Sequence, residues 1–146
     1  MSKVYRGQID DQPKTVTGVT AGAYQPATLV TYDGTTFTAA TNVAATPATG
    51  ARLFILDNLG FLGGDIDTAI ASGDTAQGYR IQPEQEYQVE LAAGTYTFGQ
   101  KLTAGAAGRL DAAASGDLVV AYFDQAGATL SAGDLADVVI AAPYTV

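Results

Sequence analysis

Between Gln85 and Phe123 the chain reads QEYQVELAAGTYTFGQKLTAGAAGRLDAAASGDLVVAYF, and no other stretch restricts the fold as much. Tyr87, Val89 and Leu91 alternate with Glu86, Gln88 and Glu90, the period-two pattern that turns one face to a core and the other to water. Ala93-Gly94 turns the chain. Tyr96 and Phe98 then follow two apart, and Gly99 closes this second short run. The TAGAAG of residues 103 to 108 brackets a loop with glycines, and Ser115-Gly116-Asp117 marks a turn before the apolar run LVVAYF. Such a segment spends its residues on strands and turns and positions no acid, base or nucleophile.

The rest of the chain agrees. In ATLVTYDGTTFTAA, Asp33-Gly34 separates two β-branched and aromatic runs, a hairpin signal in which both turn positions are expected at positive φ. Residues 39 to 50, with Pro47, read as a loop or edge segment, and Arg52 to Asp57 (RLFILD) as a buried strand. Gly60 to Gly78 is the most irregular excursion. DTAIAS within it reads as one helical turn with an aspartate cap and Gly73 as its stop. The same X-Gly-Asp turn recurs at Ser72-Gly73-Asp74, Ser115-Gly116-Asp117 and Ala132-Gly133-Asp134, each ahead of a strand-like run. The last of these runs, Val138 to Ala142, is expected to end at Pro143, which has no N–H to give a ladder. Seventeen glycines and eight tyrosines beside few Lys and Glu weigh against helices. The expected fold class is all-β: a small barrel or jelly-roll-like sandwich of short antiparallel strands, with residues 1–21 as an extended N-terminal arm and 22–146 as one β-domain.

Composition removes several functions. A net charge of −8 cannot supply the basic stripe that a phosphate backbone requires, so no nucleic acid partner is expected. No run approaches the roughly 18 apolar residues of a membrane span, and MSKVYRGQIDDQ lacks the apolar core of a signal peptide; a soluble product made in the cytosol is expected, with no membrane partner. Without histidine or cysteine the commonest general base, metal ligand and nucleophile are missing, and none of the four serines lies in a G-x-S-x-G elbow. No catalysis and no cofactor are expected. Asp65 and Asp67 sit two apart; a calcium site there would need about six or more oxygens, and a solvated loop is the plainer reading. The glycines of residues 60 to 78 match neither G-x-G-x-x-G nor a G-K-[ST] ending.

Contact surfaces are the remaining candidates. Only 15% of residues are charged while 47% are hydrophobic, which leaves apolar surface to be covered by other subunits. Lys3, Arg6 and Lys14 surround Val4, Tyr5 and Ile9 in the arm, and Phe61-Leu62 sits between glycines at a loop tip. The expected contacts with a neighbour are therefore Lys3, Val4, Tyr5, Arg6, Ile9, Phe61 and Leu62. A competing reading is a surface-displayed carbohydrate- or receptor-binding β-module, for which Tyr24, Tyr32, Tyr79 and Tyr144 are the available aromatic platform.

From Gly22 onward, GAYQPATLVTYDG, RLFILDNLGFLGGDIDTAIASGD and QKLTAGAAGRLDAAASGDLVVAYF together resemble the head decoration, or cement, proteins of tailed bacteriophages. The resemblance spans most of the chain and leaves residues 1 to 21 outside it. It implies a small β-domain on the exterior of an icosahedral head, in the virion, bridging major capsid protein subunits and associating with itself as a trimer or dimer. That family brings no catalytic residues.

Overall fold

A computed structural model of the chain describes residues 4–7, 13–40, 53–58 and 66–145, without the side chains of 143–145. The chain is all-β, as its alternation and turn signals predict. β1 (Thr15–Thr20), β2 (Leu29–Tyr32), β3 (Thr36–Ala39), β4 (Leu53–Asp57) and β5 (Thr75–Arg80) close a barrel in the order β1-β3-β2-β4-β5. A second layer follows in sequence. β6 (Glu86–Glu90), β8 (Lys101–Ala104), β9 (Leu110–Ala112), β10 (Leu118–Phe123) and β12 (Leu135–Thr145) form a sheet of order β6-β12-β10-β8-β9. β7 (Gly94–Tyr96) pairs with β11 (Ala128–Leu130) beside it.

The apolar run of β4 shows why two layers are needed. Phe54 and Leu56 point into the barrel with Val30, Phe37, Ile70 and Ala76. Leu53 and Ile55 point the other way, joining Leu29, Val89, Leu91, Leu102, Leu110 and Val120 in the larger core between barrel and sheet. A strand buried on both faces has no polar side to alternate, hence an unbroken LFIL. Inside the barrel the Phe37 ring lies against the backbone of Gly78, where a Cβ would stand 2.7 Å from Phe37 Cε1. Gly18 admits the same ring from β1, with a Cβ position 3.2 Å from Phe37 Cε2.

Several local expectations change. The 33–34 hairpin forms, with Tyr32 opposite Phe37, but only Gly34 takes a positive φ, of 107°. Asp33 acts through its carboxylate, which accepts the N–H groups of Thr35 (2.9 Å) and Thr36 (2.8 Å); these bonds hold it ionised below the ordinary carboxylate range. DTAIAS makes no helical turn: Ile70 exchanges both backbone hydrogen bonds with Tyr24 (2.7 and 3.1 Å) and buries its side chain in the barrel. Pro143 does not end the last strand, because β12 continues to Thr145. Ala121 faces Ile140 and Val119 faces Tyr144, so one residue of β10 spans three of β12, and this bulge accommodates an imino acid that cannot donate. Glu90 does not face water like its alternation partners; it is 7% exposed, as described below. Antiparallel pairing is general but not complete, since the barrel closes through the parallel pair β1–β3. The stretch read as an arm therefore contains a barrel strand, Thr15–Thr20, paired along its length with β5. The loop expected at 39–50 lies outside the described residues beyond Ala40.

Candidate docking surfaces

The N-terminal candidates divide sharply. Lys3 and Ile9, like Phe61 and Leu62, lie outside the described residues. Val4–Arg6 runs along the free edge of β6 as a short added strand: Gln88 N–H donates to Val4 O (2.7 Å), Arg6 N–H donates to Glu86 O (2.7 Å), and Tyr5 stands opposite Tyr87. This pairing points Val4 inward, where it is 2% exposed within the larger core. Tyr5 packs edge-on to Tyr87 at 5.3 Å between ring centroids and lies 6.5 Å from Tyr79. Burial raises the pKa of both Tyr87 and Tyr79, reinforced at Tyr87 by Tyr5 and at Tyr79 by Asp57. Arg6 reaches Asp137 at 3.5 Å, both side chains being substantially exposed, a pairing worth little in water. Beside this segment runs a groove of about 350 Å³ lined by Tyr5, Gly7, Pro83, Glu84, Gln85 and Glu86.

A second feature comes from the turns. At Ala71–Asp74, Ala114–Asp117 and Ser131–Asp134 the aspartate N–H donates back to the first residue's carbonyl at 3.0, 3.1 and 3.0 Å, with the glycines at φ 83°, 93° and 89°. A positive φ at the third position is the type II pattern that glycine serves without steric cost. Asp117 and Asp134 also accept the N–H of Ala114 and Ser131 through Oδ2, both at 2.8 Å. Each turn ends at the residue before a strand, and two of them are tied to the rest of the fold, Gly73 N–H donating to Thr20 O (2.8 Å) and Gly133 N–H to Leu91 O (2.9 Å). The X-Gly-Asp recurrence is thus a strand-starting device.

The same device recurs with glutamine as the last residue. Gln100 N–H donates to Thr97 O (3.1 Å), and its Oε1 accepts Thr97 N–H (3.0 Å). Phe98 is the second residue of that turn and is 71% exposed, while Tyr96, two residues earlier, is 1% exposed and stacks on Phe123 at 5.5 Å. The short run read from Tyr96 through Phe98 to Gly99 is cut shorter: β7 ends at Tyr96 and the turn that follows reverses the chain. Sequence reasoning therefore missed Phe98 as an exposed aromatic side chain. The signal was present: Gln100 occupies the position that aspartate holds in the X-Gly-Asp turns, one residue after the glycine.

Among the described charged side chains, Glu90 is the one that is buried. Its backbone N–H donates to Ala27 O (3.2 Å), tying β6 to the barrel, and its carboxylate lies 3.8 Å from Arg109 Nε. Burial raises its pKa, and Arg109 offsets part of that shift. Asp57 is likewise raised by burial, opposed by hydrogen bonds from Tyr79 O–H (3.0 Å) and Asn58 N–H (2.8 Å). These two carboxylates sit in different packed surroundings. Among the described residues no group of three or more Asp or Glu side chains is arranged to hold a metal ion; Asp67 is exposed and Asp65 lies outside the description. Among the described residues no helix is long and apolar enough to cross a membrane.

Three of the four tyrosines of the competing reading are committed to packing. Tyr24 and Tyr32 pack against the barrel core, with Tyr24 Oη accepting Ala39 N–H and Tyr32 Oη donating to Gly34 O. Tyr79 packs against the larger core. The Tyr144 side chain lies outside the description.

No family model and no curated protein matches the sequence. The fold, however, is similar to that of a solved structure, the crystal structure of the N base of head fiber gp8.5 from bacteriophage phi29. The two superpose with a TM-score of 0.56 at 17% identity, over 88% of this chain and 93% of that one.

Proposed function

We propose that the chain is a structural protein of a bacteriophage virion that seats on the exterior of the head and stabilises contacts between major capsid protein subunits. The observation that carries this reading is the fold shared, over nearly the whole of both chains, with the base of a phage head fiber. Decoration-type motifs in the sequence point the same way. The chain acts through shape and contact residues, with Phe98 as its docking anchor. An aromatic ring held on a turn whose backbone is already satisfied loses little entropy on binding, the property of interface hot spots.

Each contact to the shell is modest, and repetition around an icosahedral head makes the sum large. Binding to the closed shell and not to the opened one stabilises the closed state by mass action. Particles lacking the chain should lose packaged DNA at lower temperature than complete particles, and adding the purified chain back should restore retention. Equal retention with and without the chain would remove the stabilising role.

A further inference from the structure

The turn Gln82–Gln85, between β5 and β6, is built like the turns that hold a glycine in third place. Gln85 N–H donates to Gln82 O (3.3 Å), and Gln85 Oε1 accepts Gln82 N–H (2.9 Å). Pro83 takes the second position, as type II geometry favours. The third position is Glu84, at φ 71°, where Gly73, Gly99, Gly116 and Gly133 stand in the other four. A side chain is strained in that conformation and glycine is not. The chain therefore keeps a carboxylate at this point against the local backbone preference.

Glu84 lines the groove of about 350 Å³ beside Val4–Arg6, together with Glu86, Gln85, Tyr5 and Gly7. That volume lies at the small end of the roughly 300–1,000 Å³ usual for ligand sites. The walls are fixed. Glu84 N–H donates to Ile140 O and Ile140 N–H to Gln85 O, both at 2.8 Å, which pins the turn to β12. The Tyr5 ring lies across Gly7, where a Cβ would collide with it. Glu84 and Glu86 are both exposed, and among the described residues neither has an ion pair, Arg6 being engaged with Asp137 at 3.5 Å. Gln85 Oε1 is occupied by Gln82 N–H and by Tyr87 O–H (2.9 Å), so its Nε2 is the end of that amide left to donate. A metal ion is poorly matched: hard cations take about six or more oxygens, and among the described residues no third acid completes a group with these two.

We propose that this groove receives an arginine side chain presented by another protein. A guanidinium is flat and carries its N–H donors in a rigid fork, so it can donate to the Glu84 and Glu86 carboxylates while its face meets the Tyr5 ring. The Gln85 Nε2 then donates to a main-chain carbonyl beside the guest side chain. Lysine offers a point charge without the fork or the flat face, and fits less well. In a chain of net charge −8 a basic partner is also drawn in from a distance. The site stands on these residues alone, so arginine recognition can fail while the domain still seats on a phage head, and the reverse.

The test is an NMR titration of the isotope-labelled full chain with end-blocked tripeptides carrying arginine, lysine or citrulline between two glycines, and with neutral mono- and disaccharides. Citrulline keeps the shape of arginine and removes its charge. Saturable shifts at the amides of Gly7, Glu84, Gln85 and Glu86 are expected with the arginine peptide, at a dissociation constant on the order of a millimolar that rises with salt. The lysine peptide should bind about threefold more weakly, and the citrulline peptide and the sugars should leave these amides unmoved. Glu84→Gln should weaken arginine binding about threefold, and Glu84→Gln combined with Glu86→Gln should abolish it. Glu84→Gly should weaken it to the same degree while raising the melting temperature by about 3 °C, since it gives the turn the residue its backbone prefers. No saturable shift with the arginine peptide overturns the proposal. So does equal binding of the citrulline peptide, a neutral sugar bound at these residues, or a Glu84→Gly chain that holds the arginine peptide undiminished.

Discussion

Val4–Arg6 and Thr97–Gln100 are both short segments at the margin of the second layer, and each carries one apolar side chain that must go somewhere. Val4–Arg6 has no internal hydrogen bonds to close; it takes them from Glu86 and Gln88 of β6, and the pairing turns Val4 into the core. Thr97–Gln100 closes on itself through the main chain and side chain of Gln100 and is pinned to β10 at its far end, where Gly99 N–H donates to Phe123 O (2.7 Å) and Phe123 N–H donates to Gln100 O (2.9 Å); the closed turn leaves Phe98 in solvent. The difference shows how a small β-domain separates its duties. A segment laid along a strand edge turns its apolar side chain into the fold, and a closed turn pinned at one end can present a side chain to another molecule.

Four substitutions test this contrast, from the largest expected effect downward. Val4→Asp buries a carboxylate with no partner in the larger core and should cost about 4 kcal/mol, seen as a large fall in the denaturant midpoint; a change under about 1 kcal/mol would mean the segment is only laid on the surface. Gly99→Ala forces a Cβ onto φ 79° with nothing within 4 Å of it. The strain alone should cost about 1 kcal/mol, a measure of how far the turn stands by itself.

Glu90→Gln probes the strand from which Val4–Arg6 borrows. The folded pKa of Glu90 is raised above its ordinary 4.5, so the folded state holds the proton more tightly than the unfolded one. Its contribution is present in acid and is lost as pH rises through the folded value. The melting temperature of Glu90→Gln minus that of the unmodified chain should therefore increase from acid to neutral pH. A difference independent of pH would show that Glu90 carries no such shift. Phe98→Ser should change stability by less than about 0.5 kcal/mol while releasing the chain from particles. A destabilised but still attached variant would reverse the two segments' roles.

Much of this was legible from residues alone. The run LFIL reads as buried because both faces of β4 meet a core, and the X-Gly-Asp repeats read as turns because glycine alone takes that φ cheaply. What could not be read depends on distant partners. The parallel closure of β1 on β3 and the docking of Val4 on β6 join segments whose local patterns carry no mark of each other. Glu90 follows the alternation of a solvated residue, and only Arg109 and the barrel edge at Ala27 explain its burial. Pro143 has the signature of a strand end until the bulge opposite β10 supplies a place for it. At the candidate surface, Phe98 reads as part of one short run with Tyr96, since strand spacing and turn spacing coincide over two residues.

The proposed seat on a phage head is decided by a three-dimensional reconstruction of phage particles assembled with this chain present. Density for this domain is expected in symmetric copies on the outer face of the head shell, with the Phe98 turn against the shell. Particles whose outer shell lacks the domain, while the chain is recovered from the soluble fraction of infected cells, would contradict it.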